Sequence, residues 1–323
     1  MYCRSIKPLS DTFHEECGIF GIYSNEKRHI AHSVFFGLYA LQHRGQESAG
    51  IAVAYDDKID FYRDKGLVPE VFSSEILEKL PEGDVAIGHV KYSTNGSSLS
   101  KYAQPIVITG KCGKMAVAHN GNIVNAKAIK EKLIAQNVIF QTGLDSEIIA
   151  SLINMHMSGS NDITDAIIKA GEELCGSYTM VIMTPNKLIA VRDPYGIRPL
   201  CMGKVLDEYV IASESCALDA VGAEFIRDIE PGEIVEIDYT GVKSRFFNKR
   251  GSCLCIFEHV YFARPDSIID GCSVYNSRKE AGKILAQKYP VDADIVSGVP
   301  DSAIISARGY AEVSGIPYVE ALN

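Results

Sequence analysis

Short apolar runs bounded by Gly, Asn or Asp recur over the first 250 residues and predict β-strands. Between them lie segments whose apolar residues repeat at helical spacing, over residues 30–41, 148–153 and 163–174. Because strands outnumber crossover-length helices, we expect an α+β domain with mostly antiparallel, layered sheets rather than a Rossmann domain. The predicted strands cover residues 18–23, 49–55, 84–92, 115–119, 177–183, 187–192, 208–213 and 233–238.

The pattern changes after residues 249–252, a Lys-Arg-Gly-Ser segment that is typical of a linker. A helix is predicted over 276–289, a buried strand over 293–296, a helix over 303–314 and a further apolar segment over 317–319. This order is a βαβ unit and indicates the start of a parallel sheet. The residues of the first of these helices that we expect to face inward are Ala281, Ile284 and Leu285.

Composition narrows the class of protein. The chain has 323 residues, of which 46% are hydrophobic, and its mean hydropathy of +0.03 is typical of a soluble globular protein. No apolar run approaches the roughly 18 residues of a membrane span, and the leader lacks the apolar stretch of a secretory signal. A net charge of −9 argues against nucleic acid as a partner. Nine cysteines without a dense framework indicate reduced thiols and a cytoplasmic protein.

Cys17 opens the first predicted strand, directly after a polar leader of residues 1–16. If the leader is removed, this residue carries both a thiol and a free α-amine. The amine, with a pKa of about 7.7–8.0, is a usable base near neutral pH, and the thiol needs only modest help to act as a thiolate. Cys17 is therefore a candidate nucleophile with its own base. The alternative is a buried strand cysteine behind a frayed terminus.

Three further segments carry the residue types that acyl transfer at Cys17 needs. Lys91 and Thr94, where a strand runs into a polar turn, are candidates for holding a substrate carboxylate, unless this is only an exposed strand end. The Asn120 amide and the Gly121 N–H are candidates for an oxyanion hole, although Asn-Gly after a strand is commonly a turn. Asp145, at the start of a helix, is either an N-cap or the anion for a substrate ammonium.

These segments carry a resemblance to a known family. Cys-Gly-Ile-Phe-Gly at 17–21, Leu-Gln-His-Arg-Gly-Gln-Glu-Ser-Ala-Gly at 41–50, Gly-His-Val-Lys-Tyr-Ser-Thr at 88–94 and His-Asn-Gly-Asn at 119–122 resemble class II glutamine amidotransferases. Two further runs resemble, more narrowly, the amidophosphoribosyltransferase family. They are Arg-Asp-Pro-Tyr-Gly-Ile-Arg-Pro-Leu at 192–200 and Val-Tyr-Phe-Ala-Arg-Pro-Asp-Ser at 260–267.

The resemblance implies a fold and a domain order. It implies an N-terminal-nucleophile glutaminase domain of α/β/β/α layers, followed by the start of an α/β phosphoribosyltransferase-type domain with a parallel sheet. Residues 1–16 would then be a propeptide, 17–250 the glutaminase domain and 255–323 a partial phosphoribosyltransferase domain. The family makes 5-phosphoribosylamine, the first step of de novo purine biosynthesis, from glutamine and phosphoribosyl pyrophosphate (PRPP). A homo-oligomer is expected of the full-length protein.

The resemblance also implies roles for single residues. Cys17 would be the nucleophile, and Asn120 with Gly121 would stabilise the oxyanion. Asp145 would bind the glutamine α-amine, the Lys91 position and Thr94 its α-carboxylate, and Arg44 would lie beside the pocket as a substrate-binding residue. The family has arginine where this chain has Lys91, and lysine cannot form the bidentate pair, so we expect weaker glutamine binding.

The resemblance implies two metal groups whose sites are incomplete in this sequence. Ser302 matches a position associated with Mg²⁺ and PRPP, but the paired aspartates of the family's PRPP-binding strand would lie beyond residue 323. Cys255 matches one ligand of a [4Fe–4S] cluster whose other three ligands would also lie beyond this chain.

Two alternatives to an amidophosphoribosyltransferase stay open on the sequence. Residues 297–302 superficially resemble the pyrophosphate loop of asparagine synthetases, although Pro300 removes a backbone donor. A truncated chain with Lys91 is also compatible with a glutamine-binding or assembly module without full activity. Measured glutamine hydrolysis that depends on Cys17 would exclude the second alternative.

Overall fold

A computed structural model of the chain describes residues 17–92, 102–111, 113–160 and 162–322. The expected propeptide, residues 1–16, and Thr94 lie outside the described residues. No helix among the described residues is long and apolar enough to cross a membrane. Two antiparallel sheets dominate the first 246 residues of the chain.

The larger sheet has seven strands, and the apolar strand that begins at Cys17 lies near its centre. Its strands are β1 (Cys17–Arg28), β2 (Ser48–Tyr55), β3 (Lys58–Lys65), β4 (Gly83–Lys91), β9 (Cys201–Val205), β10 (Glu208–Ala212) and β11 (Glu224–Asp228). They lie in the order β11-β9-β10-β1-β4-β2-β3.

The second sheet has six strands in the order β13-β12-β8-β7-β6-β5. Its strands are β5 (Ile106–Gly110), β6 (Gly113–Ile123), β7 (Gly176–Thr184), β8 (Lys187–Arg192), β12 (Glu233–Asp238) and β13 (Gly241–Phe246). All eight predicted strands are present in one sheet or the other.

The helices are α1 (Ala31–Ala40), α2 (Val68–Val71), α3 (Ser74–Lys79), α4 (Ala126–Ile134), α5 (Asp145–His156), α6 (Ile163–Glu173), α7 (Ser215–Ala220), α8 (Val274–Lys288) and α9 (Ala303–Ser314). Single helical turns cover Gln42–Arg44, Met157–Gly159 and Glu258–Phe262. A two-stranded ribbon joins β14 (Ile268–Ile269) to β15 (Cys272–Ser273).

Three apolar layers show how these elements stack. One lies between α1, α7 and the larger sheet, with Leu38 and Phe20 fully buried in it. The second lies between the two sheets and includes Ile19 and Val181. The third packs α4–α6 on the smaller sheet. Because alternate side chains of a strand point to opposite faces, Ile19 and Phe20 on β1 serve different layers. The predicted α/β/β/α layering is confirmed.

Two predictions for the second part of the chain are wrong. Ala281, Ile284 and Leu285 on α8 face solvent, and the last two are 42% and 50% exposed. The helix instead buries the face with Gly282, because α8 and α9 approach so closely that a Cβ at Gly282 would collide with the Ser306 carbonyl. The buried face of α8 therefore consists of Val274, Arg278, Gly282 and Ala286.

The predicted buried strand over 293–296 is reduced to a single parallel bridge between Val296 and Tyr318. Ile295 is 48% exposed. Among the described residues, the only segment that pairs with this stretch is 317–319, through the Val296 N–H to the Pro317 oxygen and the Val319 N–H to the Val296 oxygen. A strand with one short neighbour has little sheet to join, so its apolar residues stay accessible.

Candidate active site

Cys17 is buried at the start of β1, where it connects the two sheets. Its backbone N–H donates to Asn120 Oδ1 on β6 at 3.2 Å. Its carbonyl accepts from Arg44 Nε at 3.0 Å, and it lies opposite Lys91 in the β1–β4 ladder. Three of the residues predicted to act together are thus brought to Cys17, although they lie 27 to 103 residues away in sequence.

Asn120 is fully buried, and only one half of its amide is used. The Oδ1 atom accepts from Cys17, whereas Nδ2 has no hydrogen-bond partner among the described residues. A buried donor without a partner is rare in folded proteins and indicates a site for another acceptor. The next residue, Gly121, has φ +134°, and a Cβ there would collide with the Ser177 carbonyl. Glycine is therefore required directly after Asn120.

A cavity of about 180 Å³ adjoins these residues. Lys91 and Asp145 put opposite charges on its wall, and Gly121 lies beside them. Lys91 is only 5% exposed. The lining residues are Lys91, Gln104, His119, Gly121, Asn122, Gly143, Leu144, Asp145 and Ser146. The cavity thus offers a cation, an anion and polar groups next to Cys17, a combination that suits a small zwitterion.

Asp145 is the first residue of α5, and its side chain does not cap that helix. The carboxylate Oδ2 instead accepts from the Ile123 N–H at the end of β6, at 2.9 Å. The N-cap alternative for Asp145 is therefore wrong, because the residue preceding it, Leu144, holds that position. The carboxylate is held against β6 at the cavity wall.

His119 and Ser146 also line the cavity, and the sequence motifs assign them no role. The His119 Nε2 and Ser146 Oγ atoms are buried without partners among the described residues. Burial lowers the pKa of His119 to about 4, Asp145 opposes this effect, and Arg198 adds to it. The imidazole is therefore neutral at pH 7. The only sequence signal for either residue is its position next to Asn120 or Asp145.

Arg44 lies behind Cys17 and does not line the cavity. Its guanidinium donates to Glu214 at 2.6 Å and to both carboxylate oxygens of Glu258 at 2.8 Å. All three side chains are fully buried. Because two buried carboxylates need a cation nearby, this arrangement explains the position of Arg44 better than contact with a substrate does. The arginine holds the Cys17 carbonyl in place.

Glu214 extends this network into the second part of the chain. Its Oε2 atom accepts from the Arg264 N–H at 2.9 Å and from Ser267 Oγ at 2.7 Å. Burial raises the pKa of Glu214, but Arg44 and His43 outweigh that effect and hold the pKa well below its usual range. The carboxylate is therefore ionised, and it ties the segment around Arg264 to the residues behind Cys17.

Ser302 and Cys255 do not line the cavity. Ser302 precedes α9 without capping it, and the Cys255 N–H donates to the Ile197 oxygen. Among the described residues, no group of three or more His, Cys, Asp and Glu side chains could hold a metal ion. The residues present therefore supply one potential ligand to each of the two expected metal groups and do not by themselves fit either one.

The sequence of the chain matches known glutamine-using enzymes. Residues 89–220 match the model of a glutamine amidotransferase domain. The amidophosphoribosyltransferase of Methanocaldococcus jannaschii is 47% identical over 322 residues, which cover 95% of this chain and 68% of that protein. The chain belongs to the amidophosphoribosyltransferase family. The Bacillus subtilis relative of the same name is 46% identical over 306 residues, covering 94% of this chain and 63% of that protein.

Solved structures agree with the family. A structure titled as the allosteric regulatory enzyme of purine biosynthesis matches with a TM-score of 0.89 at 44% identity, over 94% of this chain and 65% of that one. The B. subtilis glutamine PRPP amidotransferase, solved in complex with ADP and GMP, matches with a TM-score of 0.88. The chain spans about two thirds of the length of these relatives, since its share of them runs from 63% to 68%.

Proposed function

We propose that this chain hydrolyses glutamine through Cys17 and, as part of an amidophosphoribosyltransferase, delivers the ammonia to PRPP to form 5-phosphoribosylamine. The observation that carries the proposal is the Asn120 side chain, which accepts from the Cys17 N–H and leaves a buried Nδ2 donor unused. A donor that is fixed beside a nucleophile and awaits an acceptor is what an oxyanion hole requires. The matches of family and fold support the same reaction.

The chemistry begins with removal of residues 1–16, which frees the Cys17 amine. The amine accepts the thiol proton, and the sulfur attacks the glutamine amide carbon. The resulting oxyanion accepts from Asn120 Nδ2 and the Gly121 N–H. Collapse of this intermediate breaks the C–N bond, and the α-ammonium returns its proton so that ammonia leaves. Water then attacks the thioester and releases glutamate.

The charges on the cavity wall match the two ends of the glutamine backbone. Asp145 pairs with the α-ammonium and Lys91 with the α-carboxylate. This arrangement leaves the side-chain amide to reach toward Cys17, next to Gly121. The proposal also assigns Thr94 to the carboxylate, on the resemblance alone, because this residue lies outside the described residues.

The second half of the reaction belongs to the segment from Cys255 onward. Ser302 would contribute one hydroxyl to Mg²⁺ bound with PRPP, and Cys255 one thiolate to a [4Fe–4S] cluster. Each of these residues is a single ligand among the described residues. A cytoplasmic location and a homo-oligomer of the full-length protein are part of the same proposal. The seven cysteines of the described residues are free thiols, which suits a reducing compartment.

The test combines an intact mass with a glutaminase assay. We expect the purified chain to have lost residues 1–16 and to release glutamate from glutamine, and Cys17→Ala to abolish that release with the fold intact. Cys201→Ala, which changes another buried thiol, is the matched control and should stay active. A processed chain that releases no glutamate, or a Cys17→Ala variant that still does, would overturn the proposal.

A further inference from the structure

The segment 141–144 is the last part of the connection from α4 to α5. It forms part of the cavity wall without being a helix or strand. Gly143 and Leu144 line the cavity, and Asp145 follows them directly. A wall made of irregular backbone needs something to hold it, because such segments otherwise sample many conformations. The interactions that fix this segment therefore also fix the place of Asp145.

Glu147 supplies those interactions from the first turn of α5. Its Oε1 atom accepts from the Gln141 N–H at 2.7 Å. Its Oε2 atom accepts from the Thr142 N–H at 2.8 Å, from Thr142 Oγ1 at 2.7 Å and from the Gly143 N–H at 2.6 Å. Four donors from three consecutive residues thus converge on one carboxylate. Glu147 itself does not line the cavity.

The charge of Glu147 matters for this role. The residue is only 6% exposed, and burial raises its pKa, but the donors of residues 141–143 outweigh burial and leave the pKa below its usual range. An ionised carboxylate can accept from all four donors at once, whereas a glutamine amide at this position has a single acceptor oxygen. Glu147→Gln must therefore leave at least one donor of the segment without its carboxylate partner.

We propose that Glu147 is a positioning residue for glutamine, which acts by holding residues 141–144 so that Asp145 and the adjacent cavity wall meet the substrate's α-ammonium. This inference rests on the proposed glutaminase function and deepens it. A residue that shapes the binding wall but does not touch the reacting amide affects substrate binding more than the chemical step. It should therefore separate KM from kcat.

The kinetic test compares glutamate release by the purified full chain and by Glu147→Gln over a range of glutamine concentrations. We expect the KM for glutamine to rise about tenfold, with kcat changed less than about threefold, since one unpaired donor has an effect of this size. Thr142→Val removes one of the four donors and also the Oγ1 atom that accepts from the Leu144 N–H at 3.2 Å, so it loosens the same wall and should raise KM about threefold. Thr142→Val provides the kinetic comparison if Glu147→Gln does not fold.

Glu233→Gln is the matched control. Glu233, at the start of β12, is buried like Glu147 and likewise accepts four hydrogen bonds, from Arg227 Nη1 and Nη2, the Glu230 N–H and Ser244 Oγ. None of these partners lines the cavity. Glu233→Gln should lower the melting temperature of the chain, as Glu147→Gln does, and leave the KM for glutamine unchanged. A positioning role predicts that only Glu147→Gln changes KM. Equal KM values for both variants and the parent chain would overturn it.

A binding measurement separates failure of this inference from failure of the proposed function. Glutamine is titrated into two chains that lack residues 1–16, one with Cys17→Ala and one with both Cys17→Ala and Glu147→Gln, so that neither leader removal nor catalysis affects the measured binding. We expect the dissociation constant to rise about tenfold in the double variant. Binding that is equal in both chains refutes the role of Glu147 alone. A Cys17→Ala chain that does not bind glutamine refutes the proposed function and with it this inference.

Discussion

The Cys17 N–H donates to the side chain of Asn120 at 3.2 Å, and this hydrogen bond joins β1 of the larger sheet to β6 of the second sheet. This hydrogen bond spans 103 residues of sequence. It places the amide of Asn120 so that the oxygen faces the backbone of Cys17 and Nδ2 is left for another acceptor. The Asn120 side chain therefore fixes the backbone of Cys17 and also places a buried N–H donor beside this cysteine.

Asn120→Asp should remove the oxyanion donor while it keeps the acceptor for the Cys17 N–H. We expect kcat for glutamate release to fall about 10²- to 10³-fold, because the loss of one such donor has effects of that size. The added negative charge next to the developing oxyanion acts in the same direction. Steady-state kinetics of the processed chain measure the effect.

The control for that substitution is Asn125→Asp. The Asn125 side chain also bridges two parts of the backbone, since it donates to the Glu173 oxygen and accepts from the Cys175 N–H. It should lower stability without lowering kcat. An Asn120→Asp variant as active as Asn125→Asp would show that Nδ2 is not the oxyanion donor.

Lys91→Arg should strengthen glutamine binding. Arginine can pair with the α-carboxylate through two parallel hydrogen bonds, whereas lysine offers a mobile point charge. We expect the KM for glutamine to fall about tenfold, which corresponds to about 1.4 kcal/mol. Lys91→Met should raise KM instead. Lys79→Arg, on an exposed helix face, is the control and should change neither constant. Equal KM values in the parent chain, Lys91→Arg and Lys91→Met would argue against a role of this position in binding the carboxylate.

The sheets show which strands a hydrophobic pattern can predict. All eight predicted strands exist, whereas β3, β5, β11 and β13, which are the outer strands of the two sheets, are not among them. An edge strand exposes much of its surface and carries charged residues, as in Lys-Ile-Asp-Phe-Tyr-Arg-Asp-Lys of β3. The edge strands β3, β11 and β13 therefore lack the apolar run by which a central strand is recognised, whereas β5, Ile-Val-Ile-Thr-Gly, has one and was still missed. The fifth missing strand of these sheets, β9, has the sequence Cys-Met-Gly-Lys-Val.

The candidate site was predictable where residue chemistry is local and not where it depends on long-range packing. Motifs draw attention to Cys17, Asn120 and Asp145, and the fold brings these residues to one place. The position of Arg44 was not predictable in the same way. Its partners, Glu214 and Glu258, lie 170 and 214 residues away, and no local pattern indicates that they meet.

Arg44→Met should destabilise the chain strongly. The substitution keeps much of the side-chain volume but removes the guanidinium that pairs with both carboxylates. Glu214 is left with the His43 ring at 2.8 Å, and Glu258 with Arg198 at 3.6 Å. We expect the free energy of unfolding to fall by about 3–5 kcal/mol, the usual effect of removing one partner of a buried ion pair. Urea unfolding measures it. Arg245→Met, which removes an exposed arginine that pairs with Asp162 and Asp165, is the control, with an expected loss below about 1 kcal/mol. Similar losses in the two variants would contradict the importance assigned to the buried network.

The folded chain should lose stability in acid because His89 and His119, two buried histidines next to the site, resist protonation in the folded state. Burial lowers the pKa of His89 to about 3 and that of His119 to about 4. In the unfolded chain both imidazoles have a pKa of about 6.5, so the unfolded state binds more protons between these values. Stability is therefore fully present above about pH 6.5 and is lost as the pH falls toward 4, by about 1.4 kcal/mol per pH unit for each histidine.

His89→Gln should remove about half of that slope. The fold should tolerate this substitution, because the hydrogen bond that His89 makes among the described residues, from Nε2 to the His119 oxygen, can also be made by a glutamine amide N–H. Urea unfolding at pH 7, 5.5 and 4.5 gives the slope for the parent chain and the variant. His29→Gln, which changes an exposed ring, should retain the parent slope. If His89→Gln also retains it, proton uptake by the His89 imidazole is not what destabilises the folded chain in acid, and the loss comes from His119 and the carboxylates.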